Sequence, residues 1–289
     1  MKDTIFCNNH AWNVAGKLID FSTPKVMGIV NCTPDSFFSS SRASSLNDVL
    51  AKVKTMVEEG VDIVDVGGYS TKPGAEEVSE AEELNRVIPV IAMLHKELPS
   101  LIISVDTFRA SVAEQAIGVG VHIVNDVSGG DADANMFSVI AAHKVPYIVM
   151  HMKGVPTNHL ANNEYNHLTM EVIKKLSEKI ATLKSMGVVD MAIDPGFGFS
   201  KTMSQNFELL NDLSLFQALE CPILVGLSRK SMLCKSLNIL PDNALNATTA
   251  ANTIAMMNGA SIIRVHDVKA AVEARQIVTF TQNTPEIRI

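Results

Sequence analysis

Residues 26–31 read Val-Met-Gly-Ile-Val-Asn, a continuous apolar run that ends in a polar side chain. An uninterrupted run of this kind is typical of a strand buried on both faces of a parallel sheet. Seven more short runs follow along the chain, and each ends in a polar or glycine-rich cluster. They are residues 62–68, 101–107, 122–126, 147–152, 191–194, 223–228 and 261–266. A segment of helical character follows each run, so the sequence predicts an α/β protein with a (β/α)8 barrel, also called a TIM barrel.

The helical segments show the apolar stripe expected of helices that pack on a barrel. In the first of them, residues 47–59, apolar side chains recur at 49, 50, 53, 56 and 57, which lie on one helix face. The others are predicted at 79–97, 109–118, 134–143, 165–186, 203–219, 243–258 and 267–281. Residues 1–25 are interpreted as a lead-in, with a hairpin that closes the barrel bottom, and residues 1–289 as one domain. A serine-rich loop over 32–45 and a Gly/Pro-rich loop over 67–74 are expected on the catalytic face.

Composition narrows the class of protein. The net charge of −7 argues against broad binding of nucleic acid or of anionic membranes, which requires a basic surface. No apolar run reaches the ~20 residues of a membrane span, and no signal-peptide pattern is present. The four cysteines, Cys7, Cys32, Cys221 and Cys234, lack the spacing of a zinc site and are interpreted as free thiols. These features together predict a cytoplasmic protein.

Catalytic residues of TIM barrels lie at the carboxyl ends of the strands. Asp106 and Asp194 each end a predicted strand, and a carboxylate can accept two parallel N–H bonds from one edge of a 2-amino-4-oxo pyrimidine ring. Asn125 ends another strand and can both donate and accept. These three residues are therefore candidates for binding a heterocycle, whereas Asp126 is interpreted as satisfying backbone groups.

Basic residues follow the last two predicted strands. Ser228, Arg229 and Lys230 end the seventh, and Arg264 and His266 end the eighth. The loops after these two strands often bind phosphate in TIM barrels. Arg264 and His266 alternate along a strand and therefore share a face, so both could contact one phosphate group. Arg229 is the member of the cluster for which a structural role is expected.

Several segments, taken in order, carry a family resemblance that covers nearly the whole chain. They are residues 27–37, 65–68 with 73–74, 104–107, 125–126, 150–154, 194–199, 226–231 and 263–267. Each is a weak signal alone, but together they resemble dihydropteroate synthase. The resemblance implies a TIM-barrel transferase of folate biosynthesis, usually a homodimer and a sulfonamide target. The implied reaction joins p-aminobenzoate to 6-hydroxymethyl-7,8-dihydropterin diphosphate and releases 7,8-dihydropteroate and pyrophosphate, with Mg²⁺ as cofactor.

The resemblance also implies roles for individual residues. Asp106, Asn125, Asp194 and Lys230 would hold the pterin. Asn31, Arg264 and His266 would contact the pyrophosphate, with Asn31 also a Mg²⁺ ligand. Thr71, Lys72, Pro73, Phe199 and Ser228 would belong to the p-aminobenzoate region. The implied catalytic residues are Asn31, Asp106, Lys230, Arg264 and His266, and the implied chemistry is a dissociative substitution at the pterin methylene.

Three departures from the family pattern concern the two early loops. Tyr69 stands where the family usually has Glu, and Lys72 where it usually has Arg, so the planar fork of a guanidinium is lost there. Residues 38–41 read Phe-Ser-Ser-Ser, without the usual Asp and glycines. Two alternatives stay open. A methyltetrahydrofolate-dependent methyltransferase would need a corrinoid partner and no pyrophosphate site, and residues 228–231 and 264–267 argue against it. A paralogue that binds pterin without converting it is supported only by these loop changes and is opposed by Asn31, Arg264 and His266.

Overall fold

The computed structural model describes residues 11–14, 16–32, 42–69, 77–154 and 163–283. A two-stranded antiparallel hairpin of β1 (Ala11–Val14) and β2 (Lys17–Asp20) comes first. Eight parallel strands follow. They are β3 (Lys25–Asn31), β4 (Ile63–Gly67), β5 (Ile102–Asp106), β6 (Ile123–Asp126), β7 (Tyr147–Met150), β8 (Met191–Asp194), β9 (Leu224–Val225) and β10 (Ile262–Val265).

The strands lie in chain order around the sheet, from β3 through β8, and β10 pairs with both β9 and β3. A parallel bridge between Ile193 and Ile223 joins the remaining edges, and the Ile193 N–H donates to the Pro222 carbonyl at 2.9 Å. The sheet therefore closes on itself. The predicted (β/α)8 barrel is confirmed, and each strand lies within the run of residues that predicted it or extends it by one residue.

Helices follow the strands and form the outer layer. They are α1 (Arg42–Glu58), α2 (Glu80–Glu97), α3 (Ala110–Gly118), α4 (Met136–His143), α5 (Leu168–Ser185), α6 (Met203–Asn211), α7 (Ser231–Leu237), α8 (Leu245–Met257) and α9 (Val268–Asn283). Short 3-10 segments span Leu213–Leu219 and Pro241–Asn243. Among the helices of the described ranges, none is both long and apolar enough to cross a membrane.

The helices differ from the predictions at three places. The first begins at Arg42, so it includes the last four residues of the predicted serine-rich loop, whereas residues 33–41 lie outside the described ranges. The segment 203–219 breaks at Asp212 into an α-helix and a 3-10 turn. Helix α7 was not predicted, because seven residues are too few to show a helical period against the neighbouring loop.

Two apolar cores hold the fold together. The larger lies between the barrel and the helices. The smaller fills the barrel interior with one side chain from most strands, including Met27, Ile63, Ile123, Ile148, Leu224 and Ile262. The hairpin closes this inner core from the amino-terminal side of the strands, as expected for the lead-in, because Trp12, Val14 and Ile19 pack into it. Polar side chains are thereby directed to the opposite, carboxyl-terminal rim.

The buried indole of Trp12 should make the hairpin part of the cooperative fold. Trp12 is 2% exposed and meets the ring of Phe21 edge to face at 4.9 Å. We expect Trp12→Ala to lower the free energy of unfolding by about 3–5 kcal/mol, since it leaves a large cavity under the barrel. Leu18→Ala on the same hairpin is the control, because Leu18 is 77% exposed. Urea unfolding followed by circular dichroism measures both, and equal effects would contradict this role.

Candidate active site

Polar side chains from the strand ends meet at the carboxyl-terminal rim of the barrel. Because all eight strands are parallel and in chain order, their last residues point to one end. The structure places six of the predicted site residues at or within one residue of a strand end. They are Asn31, Asp106, Asn125, Asp194, Arg264 and His266. Ser228 and Lys230 lie in the turn between β9 and α7.

An ion-pair network at the top of the barrel interior organises this rim. The guanidinium of Arg264 donates from Nε to Oδ2 of Asp65 at 2.7 Å and from Nη2 to Oδ2 of Asp106 at 2.7 Å. The same Asp65 oxygen accepts a hydrogen bond from the amide nitrogen of Asn125 at 2.9 Å. Asp65 therefore connects the residue predicted to contact pyrophosphate with one predicted to hold the pterin.

Asp65 is a site residue that sequence analysis did not identify as a candidate. It lies two positions after Ile63 on β4, and because side chains alternate along a strand it faces the barrel interior with Ile63. It is fully buried, and its Oδ1 has no hydrogen-bond partner among the described residues. The sequence could have marked Asp65 as a candidate, because a carboxylate inside an apolar strand is almost never fully buried without a partner.

Two carboxylates share one guanidinium in this network. Burial raises the pKa of Asp106 to about 7; the Arg264 guanidinium opposes the shift, and the Asp65 carboxylate adds to it. Burial also raises the pKa of Asp194, against the nearby charge of Lys230. In Asp194, Oδ1 accepts from the Gly196 N–H at 2.7 Å, whereas Oδ2 has no partner among the described residues. One oxygen of Asp194 thus orders the following turn and the other is available to a ligand.

Lys230 lies between Asp194 and an aromatic side chain. Its ammonium donates to the carbonyl of Phe197 and lies 4.6 Å from the ring centre of Phe199. Burial lowers the pKa of Lys230 to about 8, and the Asp194 carboxylate opposes this shift. Lys230 therefore joins the carboxylate and the aromatic side of the site.

Ser228 and His266 form a second polar pair at the rim. The Oγ of Ser228 lies 3.0 Å from Nδ1 of His266 and accepts a hydrogen bond from the His266 backbone N–H at 3.2 Å. Desolvation, helped by the charges of Arg264 and Arg229, lowers the pKa of His266 to about 4. The His266 ring is therefore a neutral hydrogen-bonding group at neutral pH.

Two residues near the site, Arg229 and Asp126, have structural roles, as predicted from the sequence. Arg229 forms a two-point ion pair with Asp267, at 3.1 and 2.7 Å, and a longer one with Asp242. Asp126 accepts from Ser128, from the Gly130 N–H and from the Tyr147 hydroxyl, so it stabilises the turn after β6. Of the predicted p-aminobenzoate residues, Thr71, Lys72 and Pro73 lie outside the described ranges.

Tyr69, one of the three departures, lies in a cation–aromatic cluster. Its ring meets that of Phe108 edge to face at 5.1 Å. The guanidinium of Arg109 lies 5.5 Å from the ring centre of Tyr69 and 4.9 Å from that of Phe108, and it is ion-paired to buried Glu83. A tyrosine at this position therefore has aromatic and cationic partners here.

Comparison with known proteins identifies the family. A family model described as a pterin binding enzyme matches residues 27–266. The dihydropteroate synthase of Escherichia coli strain K12 is 41% identical over 273 residues, which cover 94% of this chain and 96% of that protein. The solved dihydropteroate synthase of Yersinia pestis, in a sulfonamide drug complex, superposes with a TM-score of 0.89 at 38% identity, over 95% of this chain and 100% of that one.

The synthase of Xanthomonas albilineans, solved with 4-aminobenzoic acid, gives a TM-score of 0.89 at 36% identity, over 96% of this chain and 100% of that one. The chain therefore belongs to the family of pterin-binding enzymes. Within that family it is a dihydropteroate synthase, a transferase of folate biosynthesis, which confirms the resemblance seen in the sequence.

The raised pKa of Asp106 predicts a pH dependence of stability. Between about pH 4 and pH 7 the folded chain holds a proton at Asp106 that the unfolded chain has released. The contribution of Asp106 to the free energy of unfolding therefore falls as pH rises. We expect the unfolding free energy of the unliganded wild type, relative to Asp106→Asn, to decrease by on the order of 1 kcal/mol per pH unit in this window. Urea unfolding of both proteins across the window measures the difference, and parallel curves would refute it.

Proposed function

We propose that the chain condenses p-aminobenzoate with 6-hydroxymethyl-7,8-dihydropterin diphosphate to give 7,8-dihydropteroate and pyrophosphate. The observation that carries this proposal is the mixture of groups at one barrel rim. Hydrogen-bonding carboxylates and an amide (Asp106, Asn125 and Asp194) lie there together with the cationic or imidazole groups of Lys230, Arg264 and His266. A neutral heterocycle with an anionic leaving group fits such a site.

The pterin side is assigned to Asp106, Asn125, Asp194 and Lys230. One N–H of the Asn125 amide donates to Asp65, so its carbonyl oxygen and its second N–H remain for a ligand. The unpartnered oxygen of Asp194 can accept from the 2-amino edge of a pterin ring. Lys230 can donate to a ring nitrogen or to the 4-oxo group. Together these groups match the alternating donors and acceptors of the ring.

The diphosphate side is assigned to Asn31, Arg264 and His266. Arg264 uses Nε and Nη2 for its two carboxylates, so its Nη1 group is left for a phosphate oxygen. His266 follows Arg264 by two residues on the same strand end and would contact the same group. His266 would gain a proton more readily beside a phosphate, whose negative charge favours the imidazolium.

Mg²⁺ fits the same end of the site, with Asn31 as its protein ligand. The Asn31 amide has no hydrogen-bond partner among the described residues, so its oxygen is available. Those residues hold no cluster of three His, Cys, Asp or Glu side chains suited to a metal. Mg²⁺ usually binds through one or two protein groups together with substrate phosphates, so one amide oxygen and a diphosphate form a suitable set. When bound, the ion would neutralise charge on the departing pyrophosphate.

The arylamine side is assigned to Phe199 and Ser228, with Thr71, Lys72 and Pro73 from outside the described ranges. The Phe199 ring, beside the Lys230 ammonium, offers an apolar wall for the aromatic ring of p-aminobenzoate. Ser228 lies beside His266, and its hydroxyl can donate to the carboxylate of p-aminobenzoate. The 4-aminobenzoic acid present in the Xanthomonas albilineans structure is consistent with a site of this kind.

These groups support a dissociative substitution. The bond between the pterin methylene and the diphosphate oxygen breaks, and the electron pair leaves with pyrophosphate. The electron-rich ring stabilises the resulting cation, and the Asp106 and Asp194 side chains stabilise its positive charge when they are ionised. The amine nitrogen of p-aminobenzoate then forms a bond to the methylene and releases a proton. The protein needs no activated nucleophile for this sequence.

The experiment that tests the reaction follows both products together. Purified protein with p-aminobenzoate, the pterin diphosphate and Mg²⁺ should release dihydropteroate and pyrophosphate in equal amounts. Deuterium at the methylene should slow turnover, as expected for a cationic transition state, and no isotope effect would contradict that route.

Calorimetry of diphosphate binding should show a gain in affinity with Mg²⁺ that Asn31→Ala removes. Binding without either product would favour the paralogue that binds pterin without converting it.

We also propose that the protein is a homodimer, formed through helices α8 and α9. These helices pack on each other, and they expose the apolar side chains of Ile254, Met257 and Ile277, which are 48–63% exposed. Apolar patches of this kind often mark protein interfaces. Ile254→Glu and Ile277→Glu together should yield monomers in size-exclusion chromatography with light scattering. Val189→Glu, at an 83% exposed apolar residue elsewhere, should leave the dimer intact, and a wild-type monomer would end the proposal.

Two further assignments complete the proposal. The chain would act as a single domain over residues 1–289, in which the hairpin belongs to the barrel. Its cytoplasmic location is supported by Cys32, Cys221 and Cys234, which are free thiols in the structure and suit a reducing compartment. Limited proteolysis that released a stable fragment would contradict the first assignment, and cell fractionation tests the second.

A further inference from the structure

A buried lysine holds the turn that follows β8. Lys201 is 5% exposed, and its ammonium lies 3.0 Å from the Gly196 carbonyl, 3.0 Å from the Phe199 carbonyl and 3.2 Å from Nδ1 of His151. An ammonium has three N–H donors, so this set of three acceptors uses all of them. No periodicity in the sequence marks this residue, and the proposed chemistry does not use it.

The turn that Lys201 holds is pressed against the end of β7. Gly196 has a φ of +76°, and a side chain there would meet the His151 carbonyl oxygen at 1.9 Å. No side chain fits between Gly196 and β7, so side-chain packing cannot hold the turn at this point. The buried carbonyls of the turn need hydrogen-bond donors instead. Lys201 supplies donors to the Gly196 and Phe199 carbonyls, and Lys230 supplies one to the intervening Phe197 carbonyl. Two ammonium groups thus hold three carbonyls of one short turn.

We infer that Lys201 is a positioning residue for both substrates: its ammonium fixes the turn and thereby the places of Asp194 and Phe199. This inference rests on the proposed function, because Asp194 is assigned there to the pterin and Phe199 to the arylamine. Lys201 acts through these residues, since its own donors are all directed at the turn and at His151.

The charge of Lys201 has a separate effect that a purely structural contact would lack. The groups that face it are the Asp194 carboxylate, the ammonium groups of Lys230 and Lys153, and the neutral ring of His151, whose pKa burial lowers to about 2. Burial also lowers the pKa of Lys201 to about 7, and Asp194 opposes that shift. In return the Lys201 charge lowers the pKa of Asp194, against the effect of burial, and so helps to keep this carboxylate ionised for a ligand.

Two variants separate the geometry from the charge. Lys201→Arg keeps the charge, but a planar guanidinium cannot direct its donors to the three acceptors that surround a compact ammonium. It should raise the KM for p-aminobenzoate by about tenfold, the effect of losing one charge-assisted hydrogen bond, and leave the pH dependence of pterin binding unchanged. Lys201→Met removes both functions. It should raise that KM and also move the acidic limit of pterin diphosphate binding to higher pH, because Asp194 then protonates more readily.

Calorimetry of pterin diphosphate binding across pH and steady-state kinetics for p-aminobenzoate give the two readouts. Lys153→Met is the matched control: it removes a neighbouring ammonium whose side chain contacts Glu164 and Glu171 and not the turn. It should change neither readout. A uniform loss of pterin affinity in Lys201→Met, with the acidic limit unmoved, would overturn the inference.

If Lys201→Met does not fold, as checked by circular dichroism, Lys201→Arg decides the matter. An unchanged KM for p-aminobenzoate in that variant would then overturn the inference, and an increase with the acidic limit of pterin binding unmoved would support it. Failure of the wild type to bind pterin diphosphate at any pH would instead overturn the proposed function, and with it this inference.

Discussion

The active-site end of this barrel depends on one partly buried guanidinium shared by two carboxylates. Arg264 reaches from β10 to Asp65 on β4 and to Asp106 on β5, and Asp65 in turn holds the amide of Asn125 on β6. Buried charges are costly unless they are paired and hydrogen-bonded, so removal of any member would leave its partners uncompensated. The network therefore fixes the side chains of four strands relative to one another.

The remaining groups of the site are arranged outward from this network. Lys230 and Lys201 approach the turn after β8 and hold its carbonyls, so Asp194 and Phe199 emerge from a backbone that has little freedom. Ser228 and His266 hydrogen-bond to each other, and His266 lies just after β10, two residues beyond Arg264. Such a site works by preorganisation, since its donors and acceptors are in place before substrate arrives and need not reorganise during the reaction.

Of the three departures from the family pattern, Tyr69 is the one that lies within the described ranges. The Tyr69 ring contacts Phe108 and Arg109, and Arg109 also donates to the carbonyl of Val78 at 2.7 Å. Arg109 thus contacts residues on both sides of the segment that contains Thr71, Lys72 and Pro73. Phe108 of this cluster packs in the same apolar cluster as Phe199 of the turn after β8, so Tyr69 is connected through Phe108 to the proposed arylamine side of the site.

The sequence by itself determined the barrel, because eight apolar runs with polar ends and intervening helices fit few other folds, and it determined which residues stand at the strand ends. It indicated the structural roles of Asp126 and Arg229 as well. Tertiary structure alone decided that Arg264 is bound to Asp65 and Asp106, that Lys201 supports the turn, and that residues 203–219 break at Asp212. The physical reason is that strand periodicity predicts which way a side chain faces, but not which residue it meets. Its partner lies on another strand, up to 199 residues away, and closure of the barrel brings the two together.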